Sequence, residues 1–268
     1  MSRVVTSLTN PTVKAVRALH QRKTREETGL FLAEGLKIVT EAVEMRQAPR
    51  ILMFSAEAAG HPVLRRAVEA TERARGEVLE VGRDVLEKVS RRDNPQTVVG
   101  VFEQRFTPLA EIRPETAPAW VALEQVRDPG NLGTIVRTAD SAGCGGVILV
   151  GDCVDPFGVE AVRATMGSIF ALPIAKASRD EFLAWRGGWP GSVVGTHLKA
   201  EHGYRDAPYR APALIVMGAE QSGLTDETAA ACDLLVKIPM RGRADSLNLS
   251  VATGIMIYAA TDGLVGGE

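Results

Sequence analysis

Short apolar, β-branched runs alternate with amphipathic stretches along most of this 268-residue chain. Trp120–Val126, Val147–Val150, Val193–His197, Ala213–Met217 and Leu234–Ile238 are apolar almost throughout. Runs of that length bounded by polar turns predict strands buried on both faces. Leu132–Ala142, Val159–Met166, Asp180–Arg186, Asp226–Cys232 and the stretch from about Leu247 predict helices between and after them. That alternation implies an α/β fold built on a parallel sheet. Nearer the N-terminus, residues 10–45 read as helical at both ends, with Asn10-Pro11 in the form of an N-cap followed by proline. Gly29–Gly35 looks like a short strand and turn between those helices. Strands over Arg50–Phe54, Gly76–Val81 and Thr97–Phe102 are separated by helices over Pro62–Arg75 and Arg83–Val89, making a smaller α/β unit that ends near Arg105. Thr107–Pro118 carries Pro108, Pro114 and Pro118 with no apolar periodicity and reads as a linker. The expected division is 1–106, a linker over 107–118, and 119–268.

Composition excludes disordered and fibrous classes, with 45% hydrophobic and 24% charged residues. The net charge of −2 conceals one basic stretch: Lys14, Arg17, Arg22, Lys23 and Arg25 occur with no acid between Lys14 and Arg25. Such a run is either a solvated helix face or a phosphate-binding patch. Cys144, Cys153 and Cys232 form no CxxC pair, which fits free thiols in a reducing compartment. Residues Met1–Ser7 lack the apolar core of a signal peptide, and Leu247–Val265 is interrupted by Asn248, Ser250, Thr253, Thr261 and Asp262. No membrane span is expected, and a cytoplasmic location is. His197 and His202 stand five apart without a carboxylate or cysteine partner set, so no metal site is expected.

Three polar segments follow predicted strands. Asp128-Pro129-Gly130 is a tight turn opening a helix that Asn131 is placed to cap, and Arg137 lies further along it. An arginine there could hold a phosphate bidentately and stabilise developing negative charge on an oxygen. In Gly218-x-Glu220-x-x-Gly223-Leu224, the first glycine permits close backbone approach, and Glu220 could accept a hydrogen bond from a ligand or cap the next helix. Pro239 ends the last strand, and after the Arg241–Asp245 loop Ser246 and Asn248 flank Leu247 at a helix start. Each segment alone fits ordinary capping. Three strand ends of one parallel sheet imply a composite pocket.

In order and register the three segments resemble the SpoU/TrmH family of RNA ribose 2′-O-methyltransferases, within the SPOUT class. Asn131, Gly133, Arg137, Ala139 and Gly143 meet its first pattern; Gly218, Glu220, Gly223 and Leu224 meet the second; Ile238, Pro239, Met240, Gly242, Ser246, Leu247, Asn248, Ser250 and Ala252 meet the third. The match runs from about Trp120 to Ala260. Gly29–Glu44 also looks like the family's N-terminal, ribosomal-protein-like α/β/α substrate-binding domain. The resemblance implies a deep trefoil knot in the C-terminal parallel-sheet domain, S-adenosylmethionine as methyl donor, and a homodimer. Carried over residue by residue, Thr196, Leu198, Gly218, Ile238, Met240 and Leu247 would contact the cofactor. Arg137 would be catalytic, with Asn131, Glu220, Ser246 and Asn248 orienting ribose and cofactor. Beside an RNA-binding domain, Arg22, Lys23 and Arg25 become expected phosphate contacts. The expected activity is methylation of a ribose 2′-hydroxyl in structured RNA, with ribosomal RNA favoured over tRNA. A non-catalytic RNA-binding assembly factor on the same fold is the alternative from another class. A nucleotide-dependent oxidoreductase would need a glycine-rich fingerprint after the first strand, which Asp128–Asn131 does not supply.

Overall fold

The structure, a computed structural model that describes residues 3–265, divides into two units. The first comprises the chain through Arg105 together with Asp155–Ala171; the second comprises Phe106–Val154 and the chain from Leu172 onward.

In chain order the first unit contains β1 (Arg3–Val5), α1 (Pro11–Ala18), α2 (Arg22–Thr28), β2 (Leu30–Glu34), α3 (Leu36–Glu44), β3 (Ile51–Phe54), α4 (Pro62–Arg73), β4 (Glu77–Val81), α5 (Arg83–Ser90) and β5 (Val98–Glu103). Its sheet has the order β1-β4-β3-β5-β2, with β5 antiparallel to both neighbours and the other pairs parallel. Asn10 caps α1 by accepting from the Thr12 amide at 2.9 Å, and Pro11 opens the helix where no amide proton is needed. Val13 and Val16 of α1, Leu19 just past its end, and Val85, Leu86 and Val89 of α5 pack on Leu32, Met53, Leu79, Val99 and Val101. Gly100 faces the other side of the sheet, where a Cβ would meet Val39 of α3 at 3.2 Å. Helices α1 and α5 therefore cover one face and α3, with its neighbour α4, the other.

The segment Asp155–Ala171 completes this core. The guanidinium of Arg25, 5% exposed, donates to Asp155 Oδ2 from Nη2 at 2.6 Å and from Nε at 2.8 Å, and to the Leu19 carbonyl at 2.8 Å. Glu34, also buried, accepts from Arg163 at 2.7 Å, and Phe31 packs against Phe157 and Phe170. Arg25 is a correction to the sequence expectation: its charge is held inward by a buried carboxylate, so it is not an exposed phosphate contact. Arg22 and Lys23 remain exposed and form i,i+4 pairs with Glu26 and Glu27.

The second unit holds β6 (Ala119–Glu124), α6 (Pro129–Ser141) and β7 (Val147–Val150). The chain then gives α7 (Val159–Thr165) to the first unit and returns for β8 (Ile174–Ala177), α8 (Arg179–Arg186), β9 (Val193–Thr196), β10 (His202–Gly203), β11 (Ala213–Met217), α9 (Asp226–Ala230), β12 (Leu234–Lys237) and α10 (Leu249–Val265). All strand pairs are parallel, in the order β10-β12-β9-β11-β6-β7-β8. Helix α10 packs on α6, β6 and β11. Residues 107–118 form two 3-10 turns, Leu109–Glu111 and Pro114–Thr116, laid against this sheet. Ile112 is buried there, and Trp120 Nε1 donates to the Pro114 carbonyl at 3.2 Å.

Candidate functional site

A parallel sheet presents all its strand carboxyl ends on one edge, where loops can converge. Here β6, β9, β11 and β12 end around a cleft of about 680 Å³, lined among others by Asn131, Thr196, Gly218–Gly223, Ile238, Met240 and Ser246–Leu249. That volume lies within the usual range for small-molecule sites, roughly 300–1,000 Å³.

A chain of side-chain hydrogen bonds ties three of the strand ends together. Asn131 donates from Nδ2 to Glu220 Oε1 at 3.3 Å, and Asn248 donates from Nδ2 to Asn131 Oδ1 at 2.9 Å. The remaining oxygen of Asn248 caps α10, accepting from Ser250 N at 2.9 Å and Val251 N at 3.3 Å. Asn131 does not cap α6, contrary to the sequence expectation. The cap is Asp128, whose Oδ1 accepts from the Asn131 amide at 2.6 Å, because Pro129 and Gly130 already occupy the first turn. Relieved of capping, the Asn131 side chain is free to link Glu220 and Asn248.

The Gly218–Leu224 loop is a tight hairpin closed by reciprocal backbone bonds between Ala219 and Gly223, at 3.0 and 3.1 Å. A Cβ on Gly218 would fall 2.0 Å from the Gly223 carbonyl carbon, so only glycine fits this crossing. Glu124 was not singled out from the sequence, yet it fixes this loop. Only 1% exposed at the end of β6, it accepts from Thr225 N at 2.9 Å, Thr225 Oγ1 at 2.8 Å and Thr228 Oγ1 at 2.6 Å. A carboxylate ending an otherwise apolar strand run was the available signal. His197, Lys199 and Lys237 also line the cleft without having been anticipated.

Thr196, Leu198, Gly218, Ile238, Met240 and Leu247 all line the cleft. Leu198 is 73% exposed and Leu247 39%, so both bring accessible apolar surface to the cleft lining. Ser246 lines it as well. Arg137 does not. It lies six residues beyond Asn131 on α6, about 9 Å along the axis and turned well away around it. Its side chain is exposed and has no hydrogen bond or ion pair among the described residues. Burial pushes the Cys232 thiol beside this region, and the Cys144 thiol, up to about 12.

The profile of the SpoU rRNA Methylase family matches residues 118–258, and that of the MRM3-like substrate binding domain matches residues 10–100. The crystal structure of an AdoMet-bound rRNA methyltransferase from Sinorhizobium meliloti aligns with a TM-score of 0.91 at 49% identity, over 98% of this chain and 98% of that one. The 23S rRNA (guanosine(2553)-2'-O)-methyltransferase RlmP of Bacillus subtilis (strain 168) is 28% identical over 254 residues, 95% of this chain and 97% of its own. A 23S rRNA (uridine(2479)-2'-O)-methyltransferase of Streptomyces viridochromogenes is 30% identical over 257 residues, covering 93% and 88%. With more than half of its length matched by the family profile, the chain belongs to the SpoU rRNA methylase family.

Proposed function

We propose that the protein transfers a methyl group from S-adenosylmethionine to a ribose 2′-hydroxyl of ribosomal RNA. The observation that carries this reading is the Glu220–Asn131–Asn248 chain, which joins three strand ends around one cleft. The cleft suits the donor chemically: exposed Leu198 and Leu247 offer apolar cover, and Thr196 and the backbone around Gly218 offer hydrogen bonds. When bound, S-adenosylmethionine supplies an electrophilic methyl on a sulfonium. Thr196, Leu198, Gly218, Ile238, Met240 and Leu247 would hold it, while Asn131, Glu220, Ser246 and Asn248 orient the ribose. Fixing both partners is where such a site gains most rate, on the order of several kcal/mol. Arg137 cannot act as a base, since a guanidinium stays protonated in proteins. Its role is to hold an RNA phosphate and stabilise negative charge developing on the 2′-oxygen.

Arg137 lies outside the cleft lining, which fits an acceptor site completed by a second copy of the chain. Exposed Val251 and Tyr258 on α10 supply apolar surface for such a homodimer. The return of α10 onto α6 after the edge-side strand β12 supports a trefoil knot. The first unit serves as the RNA-binding domain, in keeping with its match to a substrate binding domain. Relatives of similar identity carry guanosine and uridine in their names, so the fold does not dictate the base. No helix among the described residues is long and apolar enough to cross a membrane, which fits a cytoplasmic site of action.

The test is transfer of radiolabelled methyl from S-adenosylmethionine to an unmodified 23S rRNA transcript, with the product mapped as a 2′-O-methyl nucleotide. Arg137→Ala should lose transfer by more than about a hundredfold while S-adenosylhomocysteine binds within a few-fold of wild type. Transfer at the wild-type rate by that variant would remove Arg137 from the mechanism.

A further inference from the structure

Withdrawal of Arg25 into the interior leaves open which surface of the first unit meets RNA. Two other helix ends converge on the same place. His20, just past α1, contacts the Val89 carbonyl near the end of α5 through Nε2 at 2.7 Å, and α1 packs along α5. This contact brings Arg17, in the last turn of α1, and Arg22 and Lys23, opening α2, to the side where α5 ends in Arg91 and Arg92. Burial lowers the His20 pKa; the hydrogen bond to Val89 opposes that, and the nearby charge of Arg91 adds to the lowering.

Arg17, Arg91 and Arg92 are exposed and have no ion pair or side-chain hydrogen bond among the described residues. The nearby carboxylates are mostly engaged. Glu26 and Glu27 pair with Arg22 and Lys23, Glu34 with Arg163, and Glu87 with Arg83, leaving Asp93 exposed. In a chain of net charge −2, such an excess of unpaired guanidinium on one side attracts a polyanion. Guanidinium groups also match phosphate oxygens in geometry.

We propose that Arg17, Arg91 and Arg92, flanked by Arg22 and Lys23, form the surface on which the first unit takes the phosphate backbone of its RNA substrate. The proposal rests on the reading of the protein as an RNA methyltransferase and adds the face that holds the RNA backbone against the first unit. Phosphate contacts position a protein without reading sequence, and each displaces a condensed counterion.

The experiment compares the full chain with a triple variant, Arg17→Glu, Arg91→Glu and Arg92→Glu, and with a control, Arg65→Glu and Arg66→Glu. The control sits on exposed positions of α4, across the sheet. The probe is an unmodified 23S rRNA transcript, titrated across a range of potassium chloride. The triple variant should bind at least about tenfold more weakly near physiological salt, with a slope of log K against log salt shallower by roughly 0.7–0.9 per lost contact. The control should stay within about twofold, and both should bind S-adenosylhomocysteine as wild type does. Unchanged RNA binding by the triple variant, with wild-type methyl transfer intact, overturns this surface alone. An equal loss in the control also overturns it, because net charge would then be the cause. Failure of the wild-type chain to bind or methylate the RNA would instead sink the functional reading with it.

Discussion

Asn131 satisfies two neighbours with one amide, donating to Glu220 and accepting from Asn248. No carboxylate or aliphatic side chain can do both. Replacing Asn131 by Asp sets two acceptors against each other at 3.3 Å, so the junction of β6, β11 and α10 should loosen. Asn131→Asp should lower methyl transfer by about a hundredfold or more, against little change in melting temperature, because the network is exposed rather than buried. An active Asn131→Asp enzyme would show that the network merely decorates the cleft. Such residue roles were only half legible in the sequence. The motif positions named Asn131, Glu220 and Asn248, but their mutual bonds span 89 and 117 residues, and no local spacing encodes them.

At the scale of elements, the strands that the apolar pattern revealed are those with a neighbour on both sides, plus β2. The three that it missed, β1, β8 and β10, are all sheet edges. The reason is physical. A strand between two neighbours shows a run of apolar residues even where glutamates interrupt it, as in β4, whereas an edge strand can be very short, as in the three residues of β1 and the two of β10, or carry an exposed charge, as Lys176 does in β8. The linker expected over residues 107–118 rested on its prolines, whereas contacts such as Thr107 N to the Ile174 carbonyl at 2.8 Å lie outside any sequence window. Helix starts were read more coarsely than strands. The cap of α6 is Asp128, and Asp128→Ala should cost about 1 kcal/mol, seen as a lower denaturant midpoint with an unchanged m-value. A neutral result would mean that the Pro129 turn holds the helix start unaided.

Over the whole molecule, two buried ion pairs bind Asp155–Ala171 into the first unit. Asp155→Ala would strand the Arg25 guanidinium at 5% exposure, a loss of about 3–5 kcal/mol that a thermal melt would register. A melt within a degree or two of wild type would mean that water reaches the site. A second whole-molecule property is alkaline sensitivity. Folding raises the Cys144 and Cys232 thiols from 9.0 to about 12, so between those values the folded protein holds protons that the unfolded chain releases. The stabilisation is complete below pH of about 9 and is lost as pH rises from there. Melting temperature should fall across that window, and less steeply in the Cys144→Ala, Cys232→Ala double variant. The placement of Asp155–Ala171 also imposes an order on synthesis. A chain growing on the ribosome has made β6, α6 and β7 before the pieces that neutralise Arg25 and Glu34 exist. The N-terminal unit therefore cannot finish until a large part of the second has been made, although domains usually fold as units in the order in which they emerge. Nascent chains should gain protease resistance in residues 3–105 only once residue 171 has left the exit tunnel. Until then the cell holds a half-made core with two unpaired charges in it, and translation speed through that stretch becomes a determinant of yield.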